Sequence, residues 1–467
     1  MARRRRPASP TPSAPGPMVT PQVTDTGVIG IPPGAPPAGG AETTGRFLVV
    51  YKDAALDTPK RVPQLLNKVA GIKRVVSAAD FKDHVVKPAQ ANSADAVFFP
   101  KLGIAVVDAD DEQLQALVDA AADPDSNILA VEPEYVFHAI QTPPDPLVQY
   151  LRGYRDAVDH LYHELTAGRW GTEAGAAQAF QDTAQFTWGL QATLVSTSKM
   201  SGQGVKLAVL DTGVDLQHPD FKGRVFTSQS FISGQTVQDG QGHGTHTMGT
   251  AGGPQRPPSG VRRFGCAYAA DLHAGKVLNN SGSSVGSSVL NGMNWAVANK
   301  IAVISMSLGA DVDQVSQAFE TAGRRALQAG CLIVAAAGNN ANRTAGNFGF
   351  VGQPANSPSI MAVAALDSQL RIADFSSRSS TQTGAGGKVD IAAPGVNVYS
   401  SVPVNRGTHA IFSGTSMATP HVAGIAAMWS QSTKRTGMAL WTTITQNARR
   451  IAGDARDIGS GLVQAPQ

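Results

Sequence analysis

Residues 204–215 read GVKLAVLDTGVD. The run Leu207–Leu210 is apolar without alternation, which is the pattern of a strand covered on both faces, as in a parallel sheet. A carboxylate, Asp211, directly follows it. Working outward, the same kind of short apolar run recurs as DLHAGKVL (271–278), AVISMSL (302–308), CLIVAAAG (331–338) and SIMAVAAL (359–366). Helical spacing lies between several of them, in SSVLNGMNWAVANK (287–300) and QVSQAFETAGRRALQAG (314–330). Strands alternating with helices predict an α/β fold, a mostly parallel sheet covered by helices on both faces. In such a sheet the chemistry gathers at the carboxyl ends of the strands, where Asp211 sits.

Two further motifs belong to the same region. GHGTHTMGTAGG (242–253) places His243 at the opening of a helix, and SGTSMATPHVAGIAAM (413–428) places Ser416 at the start of a long apolar helix. A serine hydroxyl is a weak nucleophile at neutral pH and needs a neighbouring imidazole to take its proton. A carboxylate then fixes the imidazole tautomer and stabilises the imidazolium. Asp211, His243 and Ser416 supply these three groups. Gly242, Gly244 and Gly414 allow tight turns beside them, and Pro420 is read as lying near the first turn of its helix, where a missing N–H does little harm. The amides at the start of the Ser416 helix would face a developing oxyanion.

In these motifs and their order, VLDTGVD followed by HPDF (218–221), HGTH (243–246) and GTSMATPHVAG (414–424), the chain resembles the subtilisin-like serine peptidases from about Trp188 to Leu462. The resemblance implies a three-layer α/β fold and peptide-bond hydrolysis through an acyl-enzyme. It places Asn339, in AAAGNN, as the oxyanion amide. It places Ser307, Leu308 and Gly309 where substrate pairs as an added strand. Ala336, Ala337 and Gly338 would form the opposite wall of the pocket for the residue before the cut, with Gly352 at its base, so large apolar or aromatic residues are expected there. Family members often bind calcium in a loop after the histidine helix. Here that stretch is GGPQRPPSGVRRFG (252–265), which has no carboxylate. Hard cations need several oxygen ligands, so a structural calcium is not supported although Asp220 matches a family ligand position, and no cofactor is required for the chemistry.

Upstream, RFLVVYK (46–52), VPQLLNKVA (62–70), IKRVVSA (72–78), KLGIAVVDA (101–109), DEQLQALVDAAA (111–122) and NILAVEPEYVFHA (127–139) read as β-α-β-β-α-β, a small α+β ferredoxin-like unit. Its order and its ending EYVFHAI resemble the inhibitory propeptide of the same family. That implies a domain over 45–140 lying in the cleft like a product, with Ile140 in the pocket, Phe137 in another apolar subsite, and self-cleavage at Ile140–Gln141. Residues 1–44, rich in Pro, Ala, Gly and Thr, read as a disordered tail, and 141–186 as a helical linker whose amphipathic helix spans 147–165. The remaining 187–467 form the catalytic domain.

Other readings are weaker. VLDTG is also an aspartic-peptidase pattern, but that chemistry needs two carboxylates sharing a proton, and the DIGSG at Asp457 lacks a preceding strand. His243 and His246 form an HxxH pair, but no third metal ligand of the right kind is nearby. Asp215, His218, His246 and His421 read as structural. A non-catalytic member of the fold would be expected to lack a triad residue. Two cysteines, Cys266 and Cys331, exclude a disulfide framework. A net charge of +3 gives little support for nucleic-acid binding, so the expected partners are protein or peptide substrates and the chain's own propeptide. No apolar stretch is long enough to span a membrane. None follows Arg3–Arg6 either, so no secretory or twin-arginine signal is read; an intracellular zymogen and an atypically exported protease both stay open.

Overall fold

The computed structural model describes residues 41–53, 55, 59–140, 179–224, 226–380 and 386–467. The helix read at 147–165, Gln141 and the arginine run lie outside them.

The N-terminal unit contains β1 (Thr43–Tyr51), β2 (Val75–Ser77), β3 (Ala96–Phe99), β4 (Ile104–Val107) and β5 (Ile128–Ala139), in the spatial order β5-β1-β4-β3-β2. β1 runs antiparallel to both β4 and β5. This is the ferredoxin-like order, but one strand differs from expectation. The hairpin partner of β4 is AVFF at 96–99, not IKRVVSA. The latter yields three residues at the edge, parallel to β3. β1 also begins at Thr43, inside the stretch read as tail.

One face of this sheet is closed by the helices Val62–Ala70 and Asp111–Ala122. Leu66 and Leu117 meet Val49, Tyr51, Phe98 and Val107 in a separate apolar cluster. The alternate residues Leu48, Val50, Phe99, Ile104 and Val106 face the other way and join the core of the larger domain. A strand has a side-chain period of two, so one sheet can serve both cores.

The larger domain is built on β6 (Lys206–Asp211), β7 (Phe226–Ser230), β8 (Asp271–Lys276), β10 (Val303–Met306), β12 (Leu332–Ala336), β13 (Met361–Leu366) and β14 (Ile391–Pro394). All neighbours are parallel, in the order β14-β13-β12-β10-β6-β8-β7. Along β6, Leu207 and Val209 pack with Met248, Val422 and Ala426 of the helices His243–Gly252 and Thr415–Thr433. Ala208 and Leu210 pack on the opposite side with Val289, Met293, Phe319 and Ala322 of the helices Gly286–Ala298 and Gln317–Gln328. Three layers result. From β6 the chain passes to the outer strand β7, comes back to lay β8 between the two, and then crosses through the helix Gly286–Ala298 to β10 on the other side of β6. Asp211 at the end of β6 and Ser307 just beyond β10 therefore flank the point where the strand order reverses. Two short strands, β9 (Ser283–Val285) and β11 (Leu308–Gly309), and an antiparallel pair, β15 (Val398–Ser401) with β16 (His409–Phe412), complete the strands.

Packing against the larger domain starts before the expected boundary at 187. Phe180 N–H donates to Ser368 O and Asp182 pairs with Arg262 at 3.1 Å.

The N-terminal unit is joined to the body by polar contacts at two helix starts. The Glu132 carboxylate accepts from the N–H groups of Gln317 and Ala318, each at 3.0 Å, and from the Ser316 hydroxyl. Glu134 accepts from Ser287 N–H at 2.5 Å and is balanced by Arg46 at 2.8 Å. Free N–H groups at a helix start carry partial positive charge, so carboxylates placed there are stabilising. From the other side, Arg325 donates to Leu102 O and pairs with Asp53.

Candidate active site

Asp211 ends β6 at the reversal point and meets His243 at one helix start, while Ser416 stands at another helix start against Ser307 of the same reversal point; all three are buried. Asp211 Oδ1 accepts from His243 Nδ1 at 2.8 Å and from its neighbour Thr212 N–H at 2.7 Å. Its Oδ2 accepts from Thr247 Oγ1 at 3.1 Å, one helical turn beyond His243. The carboxylate is thus fixed at both oxygens, and the imidazole is fixed by the carboxylate. His243 Nε2 has no hydrogen-bond partner. Ser416 Oγ donates instead to Ser307 O at 3.0 Å, and Ser307 Oγ returns the contact to Ser416 O at 2.8 Å.

That second bond explains Pro420. The proline stands six residues into the helix Thr415–Thr433, in its second turn rather than its first. A residue there would normally donate its N–H to the carbonyl four residues earlier, which is Ser416 O. Proline has no N–H, so this carbonyl is left for Ser307.

The imidazole is held from behind by residues the sequence reading did not single out. Asp239 Oδ1 accepts from Thr212 Oγ1 (2.9 Å), Gln241 N–H (2.9 Å) and Gly242 N–H (2.8 Å), and its Oδ2 from Thr245 N–H (2.9 Å) and Thr245 Oγ1 (2.7 Å). It therefore ties the start of the His243 helix to the residue after Asp211. Thr212 Oγ1 accepts in turn from Gly244 N–H at 2.8 Å. A Cβ on Gly244 would lie 2.2 Å from Gly213 O, so only glycine fits there. Lys276, buried at the end of β8, donates to Thr212 O and to Asn280 Oδ1. Burial lowers its pKa, opposed by the nearby carboxylates of Asp239 and Asp211. A lysine at the buried end of a strand was the available signal, since a buried ammonium requires partners.

β5 ends in the cleft. His138 and Ala139 pair antiparallel with Gly309 and Leu308 of β11, and Val136–His138 pair antiparallel with β9 on the opposite side. Ser283–Val285 is a wall that the sequence reading missed. Ile140 N–H donates to Ser307 O at 3.3 Å, and Ile140 O accepts from Asn339 Nδ2 at 3.4 Å. Asn339 is oriented for this, because its Oδ1 accepts from Thr415 N–H (3.0 Å) and Thr415 Oγ1 (2.9 Å). The Ile140 side chain lies over Gly309, where a Cβ would stand 2.6 Å from Ile140 Cδ1. Ala336, Ala337 and Gly338 continue β12, and Gly352 joins them by donating its N–H to Ala337 O at 3.2 Å. A Cβ on Gly352 would meet Ala310 O at 2.5 Å, so backbone crowding also requires glycine there. Phe137 is buried against Phe319, ring centroids 5.1 Å apart.

The remaining candidates are structural. Asp215 accepts from Gln217 N–H, Gln238 Nε2 and Val404 N–H. His246 bonds Val398 O and stacks on Phe412, ring centroids 4.5 Å apart, while His243 is committed to Asp211, so the HxxH pair is spent on separate contacts. His421 bonds Met417 O. Asp457 would be raised by burial, but Arg378 and Arg343 hold it below the usual carboxylate range, the opposite of a proton-sharing dyad. Cys266 and Cys331 are buried free thiols whose pKa burial raises, that of Cys266 to about 12. Asp220, the calcium-ligand match, is committed to Ser259 N–H of the 252–265 loop and to His409.

Burial depresses His246 to about 3 and His421 to about 4. Both are then neutral in the fold and protonate more readily when unfolded. Their contribution to stability is present above the unfolded value near 6.5 and is lost as pH falls below it, about 1.4 kcal/mol per pH unit for each. Histidine-selective NMR should show both rings neutral at pH 5. A ring titrating with an apparent pKa near 6.5 would overturn this.

Comparison with known proteins agrees with the geometry. Residues 202–461 match the Subtilase family (Peptidase S8). The chain is 37% identical to subtilisin E of Bacillus subtilis (strain 168) over 286 residues, which is 61% of this chain and 65% of that protein. It is 38% identical to subtilisin DY of Bacillus licheniformis over 276 residues, 59% of this chain and 94% of that protein. It is 39% identical to alkaline elastase YaB of Bacillus sp. (strain YaB) over 282 residues, 60% of this chain and 68% of that protein. The match with subtilisin E thus spans just under two thirds of that relative's length. With the family matched over more than half of its residues, this chain belongs to the subtilases.

Proposed function

We propose that the chain is a serine endopeptidase made as a zymogen, which cleaves itself after Ile140. The observation that carries this reading is the seat of Ile140. Its carbonyl accepts from the Asn339 amide while its backbone runs on from the middle strand between β9 and β11. A peptide in this pose has the residue before the scissile bond beside Ser416.

In the reaction, Ser416 Oγ leaves Ser307 O and turns to the unpartnered Nε2 of His243. The exchange of one neutral hydrogen bond for another costs about 1 kcal/mol or less. His243 takes the hydroxyl proton as Oγ attacks the Ile140 carbonyl carbon, and Asp211 stabilises the imidazolium. Charge on the tetrahedral oxygen meets Asn339 Nδ2, already aimed by Thr415. His243 then gives the proton to the departing amine of Gln141. Water repeats the sequence on the acyl-enzyme. After cleavage the N-terminal unit stays as an inhibitor, held by the two helix-start carboxylates and the buried sheet face. Other substrates are proteins or peptides with a large apolar residue before the cut, which lies over Gly309.

A serine-directed organophosphate should label Ser416 once the N-terminal unit has been removed, and casein hydrolysis should stop in step with labelling. Labelling elsewhere, or none alongside retained hydrolysis, would overturn the assignment. A folded protein that neither labels nor hydrolyses casein would be a binding member of the family.

A further inference from the structure

We propose that His218, Asp220 and His409 form a binding site for a divalent metal of the zinc class. His409 Nε2 lies 2.7 Å from Asp220 Oδ2, and His218 Nδ1 lies 4.0 Å from the same oxygen. All three donor atoms fall within 4.8 Å of one another. Zinc bonds of about 2.0–2.1 Å in a tetrahedron put neighbouring donors about 3.3 Å apart. The two measured edges stand on either side of that value, and shifts of less than about 1 Å bring both to it.

The surroundings are those of a metal site. His218 Nε2 donates to Thr408 O at 2.7 Å, which leaves Nδ1 as the lone pair facing the cluster. Asp220 Oδ1 accepts from Ser259 N–H at 3.0 Å, which leaves Oδ2 for the centre. Outer hydrogen bonds of this kind fix the tautomer and direction of metal ligands. His218 and Asp220 are buried, and His409 forms the partly open side. The Tyr399 ring stacks on His409 at 5.3 Å, and Phe221 packs 5.4 Å from His218. Two imidazoles and one carboxylate suit zinc or cobalt. They do not suit calcium, which takes six to eight oxygens.

Loading exchanges two hydrogen bonds for coordinate bonds. His409 changes tautomer, its proton passing from Nε2 to Nδ1 by exchange with solvent so that the ligand stays a neutral imidazole, and the Asp220 N–H bond to His218 Nδ1, 3.1 Å long, is given up. A water completes the tetrahedron on the His409 side. His218 lies seven residues after Asp211, and His409 seven residues before Ser416. An ion there would clamp the loop leaving β6 to the strand that delivers the nucleophile, a structural role separate from the chemistry.

The test uses full-length Ser416→Ala protein, stripped with a chelator and titrated with cobalt(II). The expected result is one equivalent of cobalt with the strong visible bands of a four-coordinate ion, displaced by zinc. These bands should be lost in His409→Phe and in His409→Gln made in the same background. Zinc at about 100 times its Kd should raise the thermal midpoint by about 5 °C in the parent protein and leave both His409 variants unmoved. Absence of the bands in the folded parent, or bands equally strong in either folded variant, would overturn the site.

Discussion

The Ser416→Ala chain is expected to remain at its full length of 467 residues when purified alone, while the unaltered chain yields a new N-terminus at Gln141. Loss of the serine removes the proposed nucleophile, and the residual rate should fall by about 10⁶ in turnover. The alanine removes one of two donors to the buried Ser307 O, which keeps the Ile140 N–H at 3.3 Å. One lost hydrogen bond costs about 1 kcal/mol, too little to unfold a domain of this size. Circular dichroism should therefore match the parent, separating loss of chemistry from loss of fold. Intact mass and N-terminal sequencing read the outcome. An alanine chain that still acquires a Gln141 terminus would show that another nucleophile or another protease makes the cut. An unaltered chain that stays whole in a folded, inhibitor-sensitive form would place maturation elsewhere.

How far the sequence carried this picture depends on how local each signal is. The placement of Asp211, His243 and Ser416 was legible because each sits at the junction of a regular element with a glycine-rich turn, and β10, β12 and β13 are buried throughout while β6 and β8 are buried after their first residue. The hairpin partner of β4 was not legible in the same way. IKRVVSA has the β-branched look of a strand, whereas AVFF is only four residues long and lies behind the helix-prone segment Pro88–Asn92. Pairing with β4 decided between them, and that contact is tertiary. Pro420 was placed near the first turn although the helix start was read to within one residue; counted from Thr415 it is the sixth helical residue, already in the second turn, and only the contact of Ser416 O with Ser307 shows why a missing N–H is tolerated there.

The supporting residues were hidden for a different reason. Asp239 and Thr212 look like ordinary turn residues until the fold closes the loop between the Asp211 and His243 motifs. Asp239 then accepts five hydrogen bonds around one helix start. Glu132 and Glu134 likewise read as polar residues of a half-exposed strand. Their partners are helix starts more than 150 residues away, and no local pattern announces such a match.

The environment of Asp211 makes Asp211→Asn an informative substitution. Thr212 N–H requires an acceptor at the position of Oδ1, the same oxygen that holds His243 Nδ1. An asparagine carbonyl fits there. Its amide then takes the place of Oδ2 facing Thr247 Oγ1, which can accept because its own proton has an alternative acceptor in Gly244 O at 3.1 Å. The asparagine variant should thus keep the imidazole tautomer and lose only the negative charge that stabilises the imidazolium. Turnover on a chromogenic peptide should fall by less than the about 10⁴ that a wrong tautomer costs, with little change in KM, because the substrate strand pairs with β9 and β11 rather than with Asp211. The proton on His243 Nδ1 should persist in the NMR spectrum of the variant. A variant whose activity recovers steeply at high pH, with that proton missing, would mean that the amide has flipped and fixed the wrong tautomer. The Thr212 contact would then be too weak to set the orientation of residue 211, and the tie from Asp239 through Thr212 would be holding the helix rather than the catalytic side chains.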